Sequence, residues 1–93
     1  MSQINITIAP RVRKKIEEEL KRQPRKEEKV NNAIENLRDH GPEYPSLRTH
    51  KFHGIRNPKT YTSYVENNTP GAWRILWHRE NSDIAIDSID PHY

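Results

Sequence analysis

Cysteine is absent from the 93-residue sequence, which excludes disulfide bridges and cysteine-ligated zinc sites. Glycine occurs only three times, and no Gly-rich phosphate-binding loop is present. No apolar run approaches the ~20 residues of a membrane span, and no signal-peptide core follows Met1. Hydrophobic residues make up only 31% of the chain and charged residues another 31%, so we expect one soluble cytoplasmic domain with a limited core.

The charge of the chain is positive and unevenly distributed. The net charge is +3 before any histidine is counted. Between residues 40 and 79 the only acidic residues are Glu43 and Glu66, whereas lysine, arginine and four of the five histidines are concentrated there. We expect this positive region to bind an anionic partner such as RNA, DNA or an acidic protein segment.

The stretch from residue 72 to residue 79, A-W-R-I-L-W-H-R, has the alternation of a strand. Trp73, Ile75 and Trp77 fall on one side, which is predicted to pack on the core. Arg74 then points outward from the middle of a sheet, where the sheet needs no cation for its stability. This makes Arg74 the first functional candidate, and the structural alternative is an ion pair with a carboxylate such as Asp87.

The periodicity of the whole chain predicts an α+β fold in the order β-α-α-β-β-β-β. Apolar spacing of three and four residues indicates a helical hairpin, and alternating spacing indicates the strands. The predicted strands are residues 4–8, 47–53, 61–66, 72–79 and 83–89, and the predicted helices are residues 10–23 and 25–40. We expect the hairpin to pack on one face of a mainly antiparallel sheet.

Three segments, in this order, resemble RelE/ParE-superfamily toxins over nearly the whole chain. Residues 45–54, P-S-L-R-T-H-K-F-H-G, resemble the family's P-x-L-(K/R)-x-H-(K/R)-L-x-G segment. Residues 72–77 resemble its aromatic-Arg-hydrophobic strand, and the terminal His92-Tyr93 resembles the ending of YoeB-type members. The resemblance implies a bacterial type II toxin, neutralised by a cognate antitoxin, that cuts mRNA in the ribosomal A site without a metal cofactor.

Metal-free RNA cleavage needs a base for the 2′-OH, an acid for the leaving 5′-oxygen and cations for the phosphorane charge. By resemblance, Arg74 matches the arginine that contacts the scissile phosphate. His92 is the candidate acid, because Asp90 and the chain-end carboxylate favour its protonated ring. Tyr93 is predicted either to stack on an RNA base or to cover the sheet edge. A frayed tail is the structural alternative for His92.

Further cations and histidines extend the predicted RNA-binding surface. Lys51 is the favoured additional phosphate contact, and in a regular strand it lies on the opposite face from Arg48. The pair His50-x-x-His53 suggests zinc, but a strand places its two rings on opposite faces and no cysteine completes a site. The predicted RNA-binding residues are Arg48, His50, His53, Arg56 and Lys59, with no metal ligand among them.

The catalytic base is left open. YoeB-type members place a glutamate just ahead of the Pro-x-Leu segment, whereas this chain has Pro45-Ser46 there, so Glu43, Tyr93 or His50 could serve. Two other functions remain possible: a ParE-like inhibitor of DNA gyrase, and a toxin-derived binding module without activity. The expected partners are the antitoxin, the ribosome and mRNA, with operator DNA bound only as the toxin–antitoxin complex, and no membrane.

Overall fold

A computed structural model describes residues 4–51, 60–66 and 72–91. The order of elements is the predicted β-α-α-β-β-β-β, with one added 3₁₀ turn before the second strand. The elements are β1 (Ile6–Ile8), α1 (Pro10–Leu20), α2 (Pro24–His40), the 3₁₀ turn (Pro45–Leu47), β2 (His50–Lys51), β3 (Tyr61–Tyr64), β4 (Trp73–Glu80) and β5 (Asp83–Pro91). Neither helix in this part of the chain is long and apolar enough to cross a membrane.

Both helices begin at a proline, and each ends where the helical hydrogen-bonding pattern stops. Pro10 and Pro24 occupy the first helical position, where a missing N–H removes no hydrogen bond. Helix α1 ends at Leu20, earlier than predicted, because the N–H of Gln23 bonds to the Leu20 carbonyl at 2.9 Å in a tight turn. Helix α2 ends at His40 and is followed by the capping residue Gly41, whose φ of 84° favours glycine.

Within the described residues the sheet has five strands, in the order β1-β5-β4-β3-β2. β1 pairs parallel to β5, and the other neighbours are antiparallel, so the predicted mainly antiparallel α+β sheet is confirmed. β4 is the central strand, which agrees with the prediction that Arg74 lies in the middle of the sheet. Its pairing with β5 contains an irregularity between Leu76 and Trp77, at which β5 holds one extra residue.

The helices cover one face of this sheet, and the apolar side of β4 packs beneath them. Trp73, Ile75 and Trp77 are 6%, 0% and 1% exposed, as their alternation predicted. The hydrophobic core joins these three residues to apolar side chains from both helices, the 3₁₀ turn and β5. Those partners are Val12, Leu20, Val30, Ala33, Leu37, Leu47, Ile84, Ile86 and Ile89.

A short polar chain lies inside this core. The indole N–H of Trp77 donates to the Ser63 hydroxyl at 2.9 Å, and the Ser63 and Thr49 hydroxyl oxygens lie 2.6 Å apart. Ser63 is fully buried. Because a buried donor without a partner is costly, these bonds fix β3 against β4 and also hold the segment that leads into β2.

The predicted strand over residues 47–53 is wrong at its beginning. Leu47 closes the 3₁₀ turn and is 1% exposed, and Arg48 has a left-handed φ of 46°. Pro45 fixes a helical φ at the start of the turn, and burial of Leu47 in the core favours the turn over an extended chain. Strand pairing therefore begins only at His50, and residues 52–59 lie outside the described part of the chain.

Ser63→Ala should lower the free energy of unfolding by about 1–3 kcal/mol, because the Trp77 indole N–H then has no acceptor in the core. Urea denaturation monitored by tryptophan fluorescence measures the change. Ser88→Ala is the matched control, since Ser88 is only partly buried on the other side of the sheet, and it should change stability by less than about 0.5 kcal/mol. Equal effects of the two substitutions would contradict the role of the Ser63 bond.

Candidate functional site

The face of the sheet opposite the helices carries Arg74, as predicted. We call it the helix-distal face and define it by Thr62, Tyr64, Arg74, Leu76 and His78. Thr62 and Leu76 are buried there, at 1% and 6% exposed, whereas Tyr64, Arg74 and His78 are partly exposed. Solvent therefore reaches this face near Arg74 and near His78, which are separated by Leu76.

Arg74 lies between two polar residues on neighbouring strands. Tyr64 of β3 and Asp90 of β5 are its direct register partners. Directly opposed residues have Cβ atoms about 4.5–5.5 Å apart, so both side chains are within reach of the guanidinium. The Asp90 carboxylate also forms an ion pair with Lys15 of α1. The planar guanidinium of Arg74 can hold two phosphate oxygens.

His50 joins this group through Tyr64. Its ring centroid lies 5.5 Å from that of Tyr64, with the planes inclined by 39°. His50 pairs with Thr62, which also lies on the helix-distal face. The Nδ1 atom of His50 is 3.3 Å from the backbone carbonyl oxygen of Arg48. An exposed histidine, a tyrosine and an arginine are thus next to each other on one face, and we call them the Arg74 cluster.

The structure does not place Lys51 in the Arg74 cluster. Lys51 pairs with Tyr61, whose ring stacks on Trp77 at 4.8 Å on the helix-covered face. The alternation of a strand therefore directs Lys51 away from Arg74. A phosphate contact by Lys51 stays a prediction. Arg48 precedes the strand, is exposed, and belongs to neither face.

Five predicted site residues lie outside the described part of the chain: His53, Arg56, Lys59, His92 and Tyr93. Their roles remain predictions. The last described residue, Pro91, pairs with Trp73 and is one position beyond Asp90. His92 therefore follows, along the chain, directly after the point at which β5 passes Arg74.

Glu66 ties the end of β3 to α2. Its carboxylate accepts hydrogen bonds from Lys26, from Lys29 at 3.2 Å and from the backbone N–H of Trp73 at 3.4 Å. Burial of the carboxyl group opposes its ionisation, but these hydrogen bonds outweigh burial and lower the pKa of Glu66. The bonds hold the chain beside Tyr64, and so they support the Arg74 cluster from the helix-covered side.

A second polar group occupies the far end of the helix-distal face. Asp87 is the extra residue of the β5 irregularity, and both of its carboxylate oxygens lie 2.9 Å from Nδ1 of His78. Nε2 of His78 lies 3.0 Å from Glu80. The hydrogen bond to Asp87, followed by that to Glu80, raises the pKa of His78. Asp87, considered above as an ion partner of Arg74, thus contacts His78, and Asp90 is the carboxylate opposite Arg74.

Sequence reasoning did not single out Tyr64 or Glu80, and it considered Asp87 as a partner of Arg74 and not of His78. Tyr61 and Tyr64 lie on opposite faces of β3, and the register with β4 decides which tyrosine accompanies Arg74. No spacing in the sequence gives that register. The pairing of His78 with Asp87 depends in addition on the irregularity in β5.

The raised pKa of His78 predicts a pH-dependent contribution to stability. Protonated His78 is stabilised by Asp87 and Glu80, so its contribution is fully present below the unfolded pKa of about 6.5 and is lost as the pH rises through the higher folded pKa. The loss of unfolding free energy in His78→Gln should therefore be larger at pH 6 than at pH 9, as measured by urea denaturation. His40→Gln, at an exposed histidine of α2, is the control. A loss of unfolding free energy in His78→Gln that is equal at pH 6 and pH 9 would contradict the ion pairs of His78.

The chain is similar to known proteins in its fold but not in its sequence. No protein-family model matches the sequence, and no curated protein sequence matches it. The fold is similar to that of the YoeB–YefM complex from Staphylococcus aureus, with a TM-score of 0.70, 16% identity, and coverage of 99% of this chain and 100% of that one. A YoeB dimer from the same organism gives a TM-score of 0.65 at 16% identity with the same coverage.

A copper-bound mutant toxin from Helicobacter pylori is also similar. Its TM-score is 0.69 at 13% identity, over 96% of this chain and 94% of that one. At these identities the comparisons establish architecture. The chain therefore has a RelE/YoeB-like toxin fold, in agreement with the resemblance noted in its sequence.

Proposed function

We propose that this chain is the toxin of a bacterial type II toxin–antitoxin system and that it cuts mRNA on the ribosome without a metal cofactor. The observation that carries the proposal is the Arg74 cluster, in which Arg74, Tyr64 and His50 share the helix-distal face of a YoeB-like fold. The cluster thus supplies a cation for the phosphorane charge, a histidine that can serve as an acid or a base, and an aromatic ring that can stack on an RNA base. None of the three is needed there to fill the core.

The proposed reaction is attack of the 2′-OH on the adjacent scissile phosphate. The 2′-oxygen forms a bond to phosphorus, the bond to the 5′-oxygen breaks, and the products are a 2′,3′-cyclic phosphate and a 5′-OH. Arg74 stabilises the charge that develops on the phosphorane. His92 protonates the leaving oxygen, and Tyr93 stacks on a base.

Among the residues considered for the base, His50 has the clearest support from geometry. It is exposed on the face that carries Arg74, and its ring lies beside that of Tyr64. Glu43 is exposed in the segment between α2 and the 3₁₀ turn. We therefore propose His50 as the base, which takes the proton from the 2′-OH as His92 supplies one to the 5′-oxygen.

The proposed partners follow from the same fold. A cognate antitoxin is supported by the YoeB–YefM complex, in which a protein of this fold is bound to its antitoxin. The ribosome and mRNA complete the proposal, and operator DNA would be bound only by the toxin–antitoxin pair. Arg48, His53, Arg56 and Lys59 are proposed to contact ribosomal RNA or antitoxin through charge, independently of sequence.

Arg74→Ala should abolish growth arrest when the chain is induced in bacteria, while unfolding free energy changes by less than about 1 kcal/mol. Arg79→Ala is the matched control, because Arg79 is an exposed arginine of the same strand that lies over the Trp77 ring on the opposite face. It should leave growth arrest intact. Colony counts after induction, together with urea denaturation of the purified variants, measure both quantities.

Arrest by Arg74→Ala equal to that of wild type would contradict the proposed role of Arg74. Loss of folding in Arg74→Ala would instead identify Arg74 as a structural ion-pair residue. If growth stops but cellular mRNA stays intact, the gyrase alternative applies, and a supercoiling assay with purified gyrase would show inhibition by the wild-type chain.

A further inference from the structure

A cleft of about 310 Å³ lies between α2, the 3₁₀ turn and the end of β3. Ala33, Leu47 and Val65 provide its apolar part, and Ala33 and Leu47 are almost fully buried. Its volume is at the lower limit for small-molecule sites, so it fits one flat ring system better than a stretch of peptide.

The polar part of the cleft consists of groups that recognise bases. Asn32 and Asn36 lie one helical turn apart on α2 and both line the cleft, as does Ser46 of the 3₁₀ turn. A side-chain amide offers a donor and an acceptor side by side, which match the N6 amino group and N7 of adenine. Unpaired RNA bases are recognised in this way, through hydrogen bonds to their edges.

The charge around the cleft suits a polyanion. Lys26 and Lys29 contact the single carboxylate of Glu66, which leaves one positive charge in excess. Glu66 is 12% exposed whereas Lys29 is 57% exposed, so solvent at this border of the cleft meets mainly the ammonium group. A phosphate of a bound strand is therefore favoured at the border, with its base inside.

Tyr64 links the cleft to the Arg74 cluster. It lines the cleft, and it is also the residue directly opposite Arg74. Within the described residues β2 pairs only with Tyr61 and Thr62 of β3, so the strand end at Tyr64 borders the cleft and not another strand. An RNA strand that passes around this strand end can therefore place a base in the cleft, on the helix-covered side, and a phosphate at Arg74 on the helix-distal face.

We infer that this cleft binds one unpaired adenine of the RNA strand whose phosphate Arg74 holds, and that Asn36 is a specificity-determining residue. The inference rests on the proposed function, because it assigns a base to the RNA substrate of the same site. Asn36 is the half-buried amide of the pair, whereas Asn32 is exposed, so a base held in the cleft meets Asn36 within the less hydrated part.

The test uses fluorescein-labelled 2′-O-methyl RNA pentamers, which lack the attacking 2′-OH and stay intact. Fluorescence anisotropy compares UUAUU with UUUUU. Wild type should bind UUAUU tighter by about fivefold or more, the discrimination that one bidentate amide–adenine contact supplies. Asn36→Ala should remove the difference. Asn31→Ala should retain it, because Asn31 is an exposed asparagine of the same helix outside the cleft.

Equal affinity of wild type for the two pentamers would overturn the inference, as would a preference that survives in Asn36→Ala. Absence of measurable binding to either pentamer would overturn it too. Arg74→Ala should weaken both pentamers alike and keep their ratio. If wild type prefers UUAUU but does not arrest growth, the proposed function is overturned and the adenine site is not. If wild type arrests growth but binds the two pentamers equally, the adenine site is overturned and the proposed function is not.

Discussion

The hydrogen bond from the buried Trp77 indole to Ser63 sets the geometry on which the candidate site depends. The bond joins two side chains on the helix-covered face of β4 and β3. Because side chains alternate along a strand, fixing Ser63 and Trp77 inward also fixes Tyr64 and Arg74 outward. A slip of β4 by one residue would separate the indole N–H from Ser63, turn Trp77 outward and move Arg74 into the core. The core thus specifies the register from which the site follows.

The same polar chain extends this constraint to β2. Thr49 contacts the Ser63 hydroxyl, so the residue after it, His50, faces the other way. The two-residue strand would be poorly specified by its backbone bonds alone. Its anchoring on a buried serine explains how a short edge strand can present a histidine beside Tyr64. Burial of Leu47 in the core adds a second anchor to this segment.

Much of the architecture could be predicted from the sequence because periodicity is strong where burial is strong. The alternation of Trp73, Ile75 and Trp77 predicted both the central strand and the outward direction of Arg74. The predicted helices begin within one residue of the observed first residues, Pro10 and Pro24. The resemblance of three short segments indicated the toxin fold, although no sequence match supports it.

The parts that escaped prediction are those governed by long-range contacts. The 3₁₀ turn replaced the beginning of the strand predicted over residues 47–53, because burial of Leu47 outweighed an alternating pattern of polar residues. Lys51 was the favoured phosphate contact, but its pairing with Tyr61 places it on the helix-covered side, away from Arg74. Asp87 reaches His78 only because β5 holds one extra residue, and such irregularities leave no local signal in the sequence.

Primer extension on a translated mRNA incubated with the purified chain, with and without ribosomes, tests the proposed endonuclease function. We expect cuts at codon-phased positions that require ribosomes, each leaving a 2′,3′-cyclic phosphate, and their loss in His92→Ala. Cuts of free RNA at the same rate would contradict the ribosome dependence. The absence of cuts under both conditions would contradict the endonuclease function itself.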